Sequence, residues 1–131
     1  MTAQDIVLLS LTMWRENRGG GTQGMQSVGN VIINRMARSG ADAYTICTSH
    51  AQFSSVSMPG PESYLWGKDA DPQWQEALAL AAQAAAGTLE DITQGATSYY
   101  ASSMATPPGW ASFMQHTVTI EGQLFFRLEA S

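Results

Sequence analysis

The chain is poor in the residues that build metal centres, disulfides and polyanion-binding surfaces. It has one cysteine and two histidines among 131 residues. Cys47 therefore has no partner for an intrachain disulfide, and with only His50 and His116 beside it there are too few ligands for a structural zinc site. A buried, inert thiol is the expectation, with no metal or other cofactor. Lysine and arginine number six against eleven aspartates and glutamates, a net charge of −5, and the six cations form no cluster. Attraction to nucleic acid or to an anionic membrane surface has no electrostatic footing here. Charged residues make up only 13% of the chain and hydrophobic ones 44%. That balance excludes a disordered segment and a long solvated coiled coil.

The apolar run Ile6 to Leu11 is not preceded by a cation, has Asp5 at its edge and ends within a few residues at Arg15 and Glu16. It fits neither a signal peptide nor a membrane span, so no stable membrane insertion is expected. Three routes stay open. The protein works in the cytoplasm, is carried across a membrane by another agent, or loses a leader that once preceded it.

What is present suits one domain over residues 1–131, burying about two thirds of the unfolded surface. Thr2 and Asp5 have the spacing of a capping box, which predicts a helix from there to Arg15 or Asn17, stopped by Gly19, Gly20 and Gly21. On that helix Ile6, Leu9 and Met13 share one face while Val7, Leu11 and Trp14 cover much of another. A helix apolar on most sides is expected to be central, with neighbours all round. A second helix over about Gln23 to Ala37 carries the stripe Met25, Val28, Ile32 and Met36 and ends at Gly40. Ser39 to Thr48 is a loop or one short helix. Gln52 to Asp71, with Pro59, Gly60, Pro61 and Gly67, reads as a long ordered loop of the kind that carries function. Asp71-Pro72 starts a third long helix that is expected to bury Trp74, Ala77, Leu78, Ala81 and Ala85 and to stop at Gly87. After Gly95 the pattern turns to strand: Thr97 to Ala101, then Thr117 to Ile120 and Gln123 to Leu128 as a hairpin about Glu121-Gly122. The class is α+β, mainly helical, with a small antiparallel sheet.

Glu16 falls on the face of Ile6, Leu9 and Met13 in the last turn of the first helix, so it is expected to point inward. Partial desolvation and the negative end of the helix dipole both favour its protonated form there. A carboxylic acid that stays protonated near neutrality is what a general acid requires. The alternatives are a solvated helix-end glutamate, or one paired with Arg15 or Arg18.

The blocks Trp14-Arg15-Glu16-Asn17-Arg18-Gly19, Gly24, Val28 to Arg35 ending Val-Ile-Ile-Asn-Arg, Gln52-Phe53-Ser54, Gly95-Ala96-Thr97-Ser98-Tyr99-Tyr100, Pro107-Pro108-Gly109-Trp110-Ala111 and Thr119 to Phe126 stand in one order along the chain. In that order they resemble the SleB-type cell-wall hydrolases, the spore-cortex lytic enzymes and their phage relatives. The resemblance covers nearly the whole chain. It implies a small lysozyme-like fold, peptidoglycan glycan strands as substrate, and Glu16 as the acid that cleaves them. Three positions depart from the family pattern: Gly20 where a second glutamate is usual, Gln123 where histidine is usual, and Phe126 where tyrosine is frequent.

None of the other ten acids lies on an apolar face. A hydrolase uses a second carboxylate as nucleophile or as base for water, whereas a lytic transglycosylase lets the muramic acid's own hydroxyl attack. The expectation is therefore a lytic transglycosylase leaving anhydromuramic ends, of the phage endolysin type, with a muramidase or a non-catalytic glycan-binding module as the alternatives. Gln52, Ser54, Tyr99, Tyr100, Trp110 and His116 are the candidates for sugar stacking and hydrogen bonding. Tyr99 and Tyr100 alternate, so only one of them faces the site. Trp110 has an alternative role covering the core, and His116 one as a hydrogen-bonding strand-end residue. Arg35 lies near the stripe of the second helix and needs a buried partner: backbone carbonyls, another acid, or Glu16 itself. Asn34 is expected to organise a nearby loop. A monomer acting on the bacterial cell wall, in the periplasm or outside the cell, completes the reading.

Overall fold

Thr2 opens α1 (Ala3–Asn17) with a complete capping box: its hydroxyl accepts from Asp5 N at 3.1 Å, and Asp5 Oδ2 accepts from Thr2 N at 3.0 Å. These observations come from a computed structural model that describes residues 1–49, 53 and 66–128. The second oxygen of Asp5 accepts from Tyr44 N at 3.0 Å, joining the start of α1 to α3 (Ala43–Thr48). Those bonds, the one from Thr2 N foremost, hold the Asp5 carboxyl below its ordinary range although burial opposes this. Asp42 caps α3 by accepting from Thr45 N at 2.8 Å.

After α1 the chain makes one 3-10 turn, Arg18–Gly20, and enters α2 (Gly21–Ser39) at once. Gly21 takes φ 67° and ψ −158°, a region that only glycine enters without strain. This conformation lets α2 begin two residues before the expected Gln23. Gly40, at φ 75°, ends α2 and donates its N–H to Met36 O. Asp71 caps α4 (Pro72–Ala86) by accepting from Gln73 N at 2.9 Å, and Gly87 closes it at φ 75°.

α1 packs against α2, α3 and α4. Leu9, Met13 and Trp14 meet Met25, Val28 and Ile32 of α2, Cys47 of α3, Phe53, and Trp74, Ala77 and Leu80 of α4. Gly29 lets α1 and α2 approach closely, because a Cβ there would lie 2.6 Å from Met13 Sδ. Two sequence expectations fail in detail. Val7 is 41% exposed, so α1 is central without being covered on every side. On α4 the buried stripe runs through Trp74, Ala77, Leu80 and Ala81, leaving Leu78 and Ala85 exposed. Alanine-rich helices present little contrast from which to read the phase.

The sheet has the order β1-β3-β2, antiparallel throughout, with β1 at Ser98–Ala101, β2 at Gln115–Ile120 and β3 at Gln123–Arg127. Glu121 and Gly122 join β2 to β3 with φ 47° and 75°, the paired positive values of a tight hairpin turn. A bulge between His116 and Val118 turns the Thr117 hydroxyl to Thr93 O at 2.7 Å. One sheet face, with Tyr99, Phe125, Val118 and Ile120, packs on Val31 of α2 and on Ala96.

Polar residues one helical turn apart on α2 fasten that sheet. Gln26 Nε2 and Asn30 Nδ2 each donate to Glu90 O at 2.9 Å, and Asn30 Oδ1 accepts from Ile92 N at 3.0 Å. Asn34 Nδ2 donates to Asp91 Oδ2 at 3.0 Å and to Ala96 O at 2.9 Å, organising the loop that leads into β1.

Candidate functional site

Glu16 is half-buried in the last turn of α1. Together with Arg15, Asn17, Arg18 and Gly19 it lines an open pocket of about 350 Å³, and among the described residues it is the one acid in that lining. The helix end that carries it is clamped from several sides. The Arg18 guanidinium lies over the Trp14 ring at 4.3 Å and donates to the carbonyls of Trp14 and Arg15 at 3.3 and 3.4 Å. A cation on those last carbonyls complements the negative end of the helix. Trp14 Nε1 donates to Asp71 Oδ2 at 3.1 Å, and Gln73 Nε2 donates to Arg18 O at 2.7 Å. The start of α4 therefore holds the end of α1.

The Asn17 amide is tucked against the two neighbouring glycines. A Cβ on Gly20 would meet Asn17 Oδ1 at 2.8 Å and one on Gly24 would meet Asn17 Nδ2 at 2.8 Å. A side chain at position 20 would press on this amide unless the Asn17 side chain shifted.

Of the paired tyrosines, Tyr99 lies on the Glu16 side. Burial first, and then the negative charge of Glu16, push its hydroxyl well above the ordinary tyrosine value, while the Arg35 cation opposes the shift. Tyr99 is therefore a neutral phenol at working pH, in electrostatic reach of both groups. Arg35 donates Nε–H to Thr97 O at 2.6 Å and lies over the Phe53 ring at 5.1 Å. Of the partners expected for Arg35, a backbone carbonyl is among those present. Burial lowers its proton affinity.

Tyr100 points to the opposite sheet face. It stacks on Phe126 at 5.4 Å and 17°, and Trp110 meets both rings edge-on at 5.9 and 5.4 Å. His116 lies 5.3 Å from Phe126 with its Nε2 at 3.2 Å from Thr119 Oγ1. The candidates thus form two groups, Glu16 with Tyr99 on one side and Tyr100, Trp110 and His116 on the other. Phe126 is buried under the second group, and Gln123 is half-buried on β3. Gln52 and Ser54 lie outside the described residues, while Phe53 between them is fully buried in the main core.

Trp66 escaped the sequence reading. It is 57% exposed, and the Arg15 guanidinium lies 5.6 Å from its ring centre. The available signal was a Trp-Gly pair just ahead of the Asp71-Pro72 cap. Among the described residues no three of His, Cys, Asp and Glu are grouped to hold a metal ion. Burial pushes the Cys47 thiol up to about 11.

A family model described as cell wall hydrolase matches residues 19–126. The crystal structure of the catalytic domain of the Bacillus cereus SleB protein superposes with a TM-score of 0.74 at 21% identity, over 97% of this chain and 92% of that one. At that identity the likeness is one of fold. No curated protein sequence matches the chain.

Proposed function

The chain belongs to the cell wall hydrolase family, and from that premise we propose that it cleaves peptidoglycan glycan strands as a lytic transglycosylase, with Glu16 as both acid and base. The observation that carries this reading is the position of Glu16, the one acid among the described residues that line an open pocket at the end of a clamped helix. Protonated Glu16 gives its proton to the glycosidic oxygen as the bond to the muramic anomeric carbon breaks. The resulting carboxylate takes the proton of the muramic C6 hydroxyl, whose oxygen closes on the anomeric carbon to form the 1,6-anhydro ring. One group serves both steps, so no second carboxylate is required.

The charges around Glu16 suit that alternation. In this reading the burial of a helix-end carboxyl favours the acid, and the phenol of Tyr99, which feels the charge of Glu16, favours the carboxylate formed midway. Tyr99 then belongs to the catalytic cleft, with Gln52 and Ser54 as further sugar ligands. Tyr100, Trp110 and His116 offer a separate stacking surface to a sugar farther along the strand. The chain acts in this reading as one monomeric catalytic domain on the wall, in the manner of a phage endolysin reaching its substrate by a separate route.

Mass spectrometry of the muropeptides released from purified wall tests the reaction. Anhydromuramic ends are expected. Reducing muramic ends would assign a muramidase instead, and glycan binding with no loss of wall turbidity would assign a binding module.

A further inference from the structure

We propose that Trp66 is a sugar-stacking residue, holding a pyranose ring of the glycan strand at the rim of the Glu16 pocket. The proposal rests on the glycan-cleaving reading above and adds to it a specific contact. A large indole left 57% open to water in a domain that buries its two α-helical tryptophans, Trp14 at 6% and Trp74 at 8%, forgoes apolar burial that the fold elsewhere exploits. The residue beneath it is Arg15, whose guanidinium lies 5.6 Å from the ring centre and which itself lines the pocket beside Glu16. Trp66 is therefore within one side chain of the reacting acid.

Its backbone is also braced. A Cβ on Gly67 would lie 2.1 Å from Trp74 Cγ, so at this point the chain runs directly against the Trp74 ring and only glycine fits. Trp74 in turn meets Trp14 edge-on at 5.8 Å, and Trp14 is bonded to Asp71. A turn from Lys68 O to Asp71 N at 2.8 Å closes the segment onto the cap of α4. The same aromatic stack thus fixes both the Glu16 helix end and the base of Trp66. A braced aromatic with a cation on it has little rotamer freedom left to lose when a ligand arrives. Sugar rings carry a face of C–H bonds that packs on such a surface, leaving the hydroxyls at the ring edge for hydrogen bonds.

The test uses soluble glycan strands freed of stem peptides by an amidase, and Glu16→Gln protein as a background that binds without cleaving. Calorimetric titration should show Trp66→Ala weakening binding by roughly ten-fold, with Trp66→Phe restoring most of it. Acrylamide quenching adds a readout that does not require the alanine variant to fold: glycan should shield a fluorescence component present in Glu16→Gln and absent from Glu16→Gln/Trp66→Phe. Unchanged affinity in Trp66→Ala, or a Trp66 component as open to quencher with glycan as without, overturns the stacking role. Either result leaves the Glu16 reading intact so long as unsubstituted protein releases anhydro ends. If the unsubstituted protein binds strands through Trp66 yet cleaves no wall, the catalytic reading fails and the stacking role stands.

Discussion

Replacing Asp91 by asparagine should destabilise the fold without touching the pocket. Asp91 Oδ1 accepts from Thr93 N at 2.8 Å and from Thr93 Oγ1 at 2.7 Å, while Oδ2 accepts from Gly95 N and Asn34 Nδ2, both at 3.0 Å. An asparagine can keep its oxygen on Thr93 or on the other pair, and its amide nitrogen then confronts two donors. Turning the Asn34 amide round to help would point its oxygen at Ala96 O, which Asn34 now donates to at 2.9 Å. Two hydrogen bonds to a charged acceptor are lost, at about 1.5–3 kcal/mol each. Asp91 lies at the surface, where water replaces part of that loss, so about 2–4 kcal/mol is expected in total. For a domain of this size the melting temperature should fall by roughly 10 °C. The sign of the pH dependence follows from the carboxyl. Burial raises its pKa, but the bonds from Thr93, Asn34 and Gly95 outweigh burial and set it below the ordinary 3.8. Its contribution is thus complete above the unfolded value and is lost as pH falls through the folded one. Thermal denaturation of both proteins from pH 7 to pH 3 should show a full gap at neutrality that narrows below about pH 4. A melting temperature within about 2 °C of the parent at pH 7, or a gap constant down to pH 3, would refute the reasoning.

Glu16→Gln retains the shape of the side chain and removes the transferable proton, so wall lysis should fall by about 10²–10⁴-fold with melting unchanged or slightly raised. Near-parental lysis by this variant would eliminate Glu16 as the acid. Tyr100→Ala and Trp110→Ala remove rings that cover Phe126; if the outer face binds sugar, glycan affinity should drop by more than the stability loss accounts for, measured on the same samples. Cys47 is fully buried and its thiol is pushed up to about 11, so a disulfide reagent at pH 8 should modify it only at the rate of unfolding. Lysis should be unaffected by chelator and sedimentation should report a monomer; a strict need for added divalent metal, or a stable dimer, would contradict the reading.

Features set by a few neighbouring residues were legible in the sequence. Thr2 with Asp5, Asp71 with Pro72, and Glu121 with Gly122 each satisfy local backbone groups, and the elements they bound lie within two residues of expectation. Over α3 the sequence leaves loop and short helix open, because its first turn is supported by Asp5, far away in sequence, as well as by Asp42. Helical phase put Glu16 at an inward position of α1. Strand alternation separated Tyr99 from Tyr100 but could not say which shares a side with Glu16, since that depends on which sheet face lies on Val31. Exposure is likewise a property of the whole packing, so the Trp-Gly pair marks a position for Trp66 but not its openness to water. Gln52 and Ser54 lie outside the described residues.

Glu16 and Tyr99 are attached to the fold by different chemistry. Glu16 is held by the aromatic stack of Trp14 and Trp74 and by bonds from the first turn of α4. Tyr99 is held by a polar ladder on α2, with Gln26, Asn30 and Asn34 bonding the loop ahead of β1 and Arg35 bonding Thr97. The first attachment buries apolar surface and is indifferent to direction. The second consists of directional bonds to backbone carbonyls, which set where β1 begins along the helix. Under the proposed glycan-cleaving function, a cleft that positions an acid against a sugar oxygen gains from both kinds of support: bulk to keep the helix end from fraying, and register to hold the phenol in place. Asn34 and Arg35 are adjacent in sequence and bond consecutive carbonyls, Ala96 O and Thr97 O, just ahead of β1. The apolar residues seat α2 in the core, and the polar pair sets where the sheet begins.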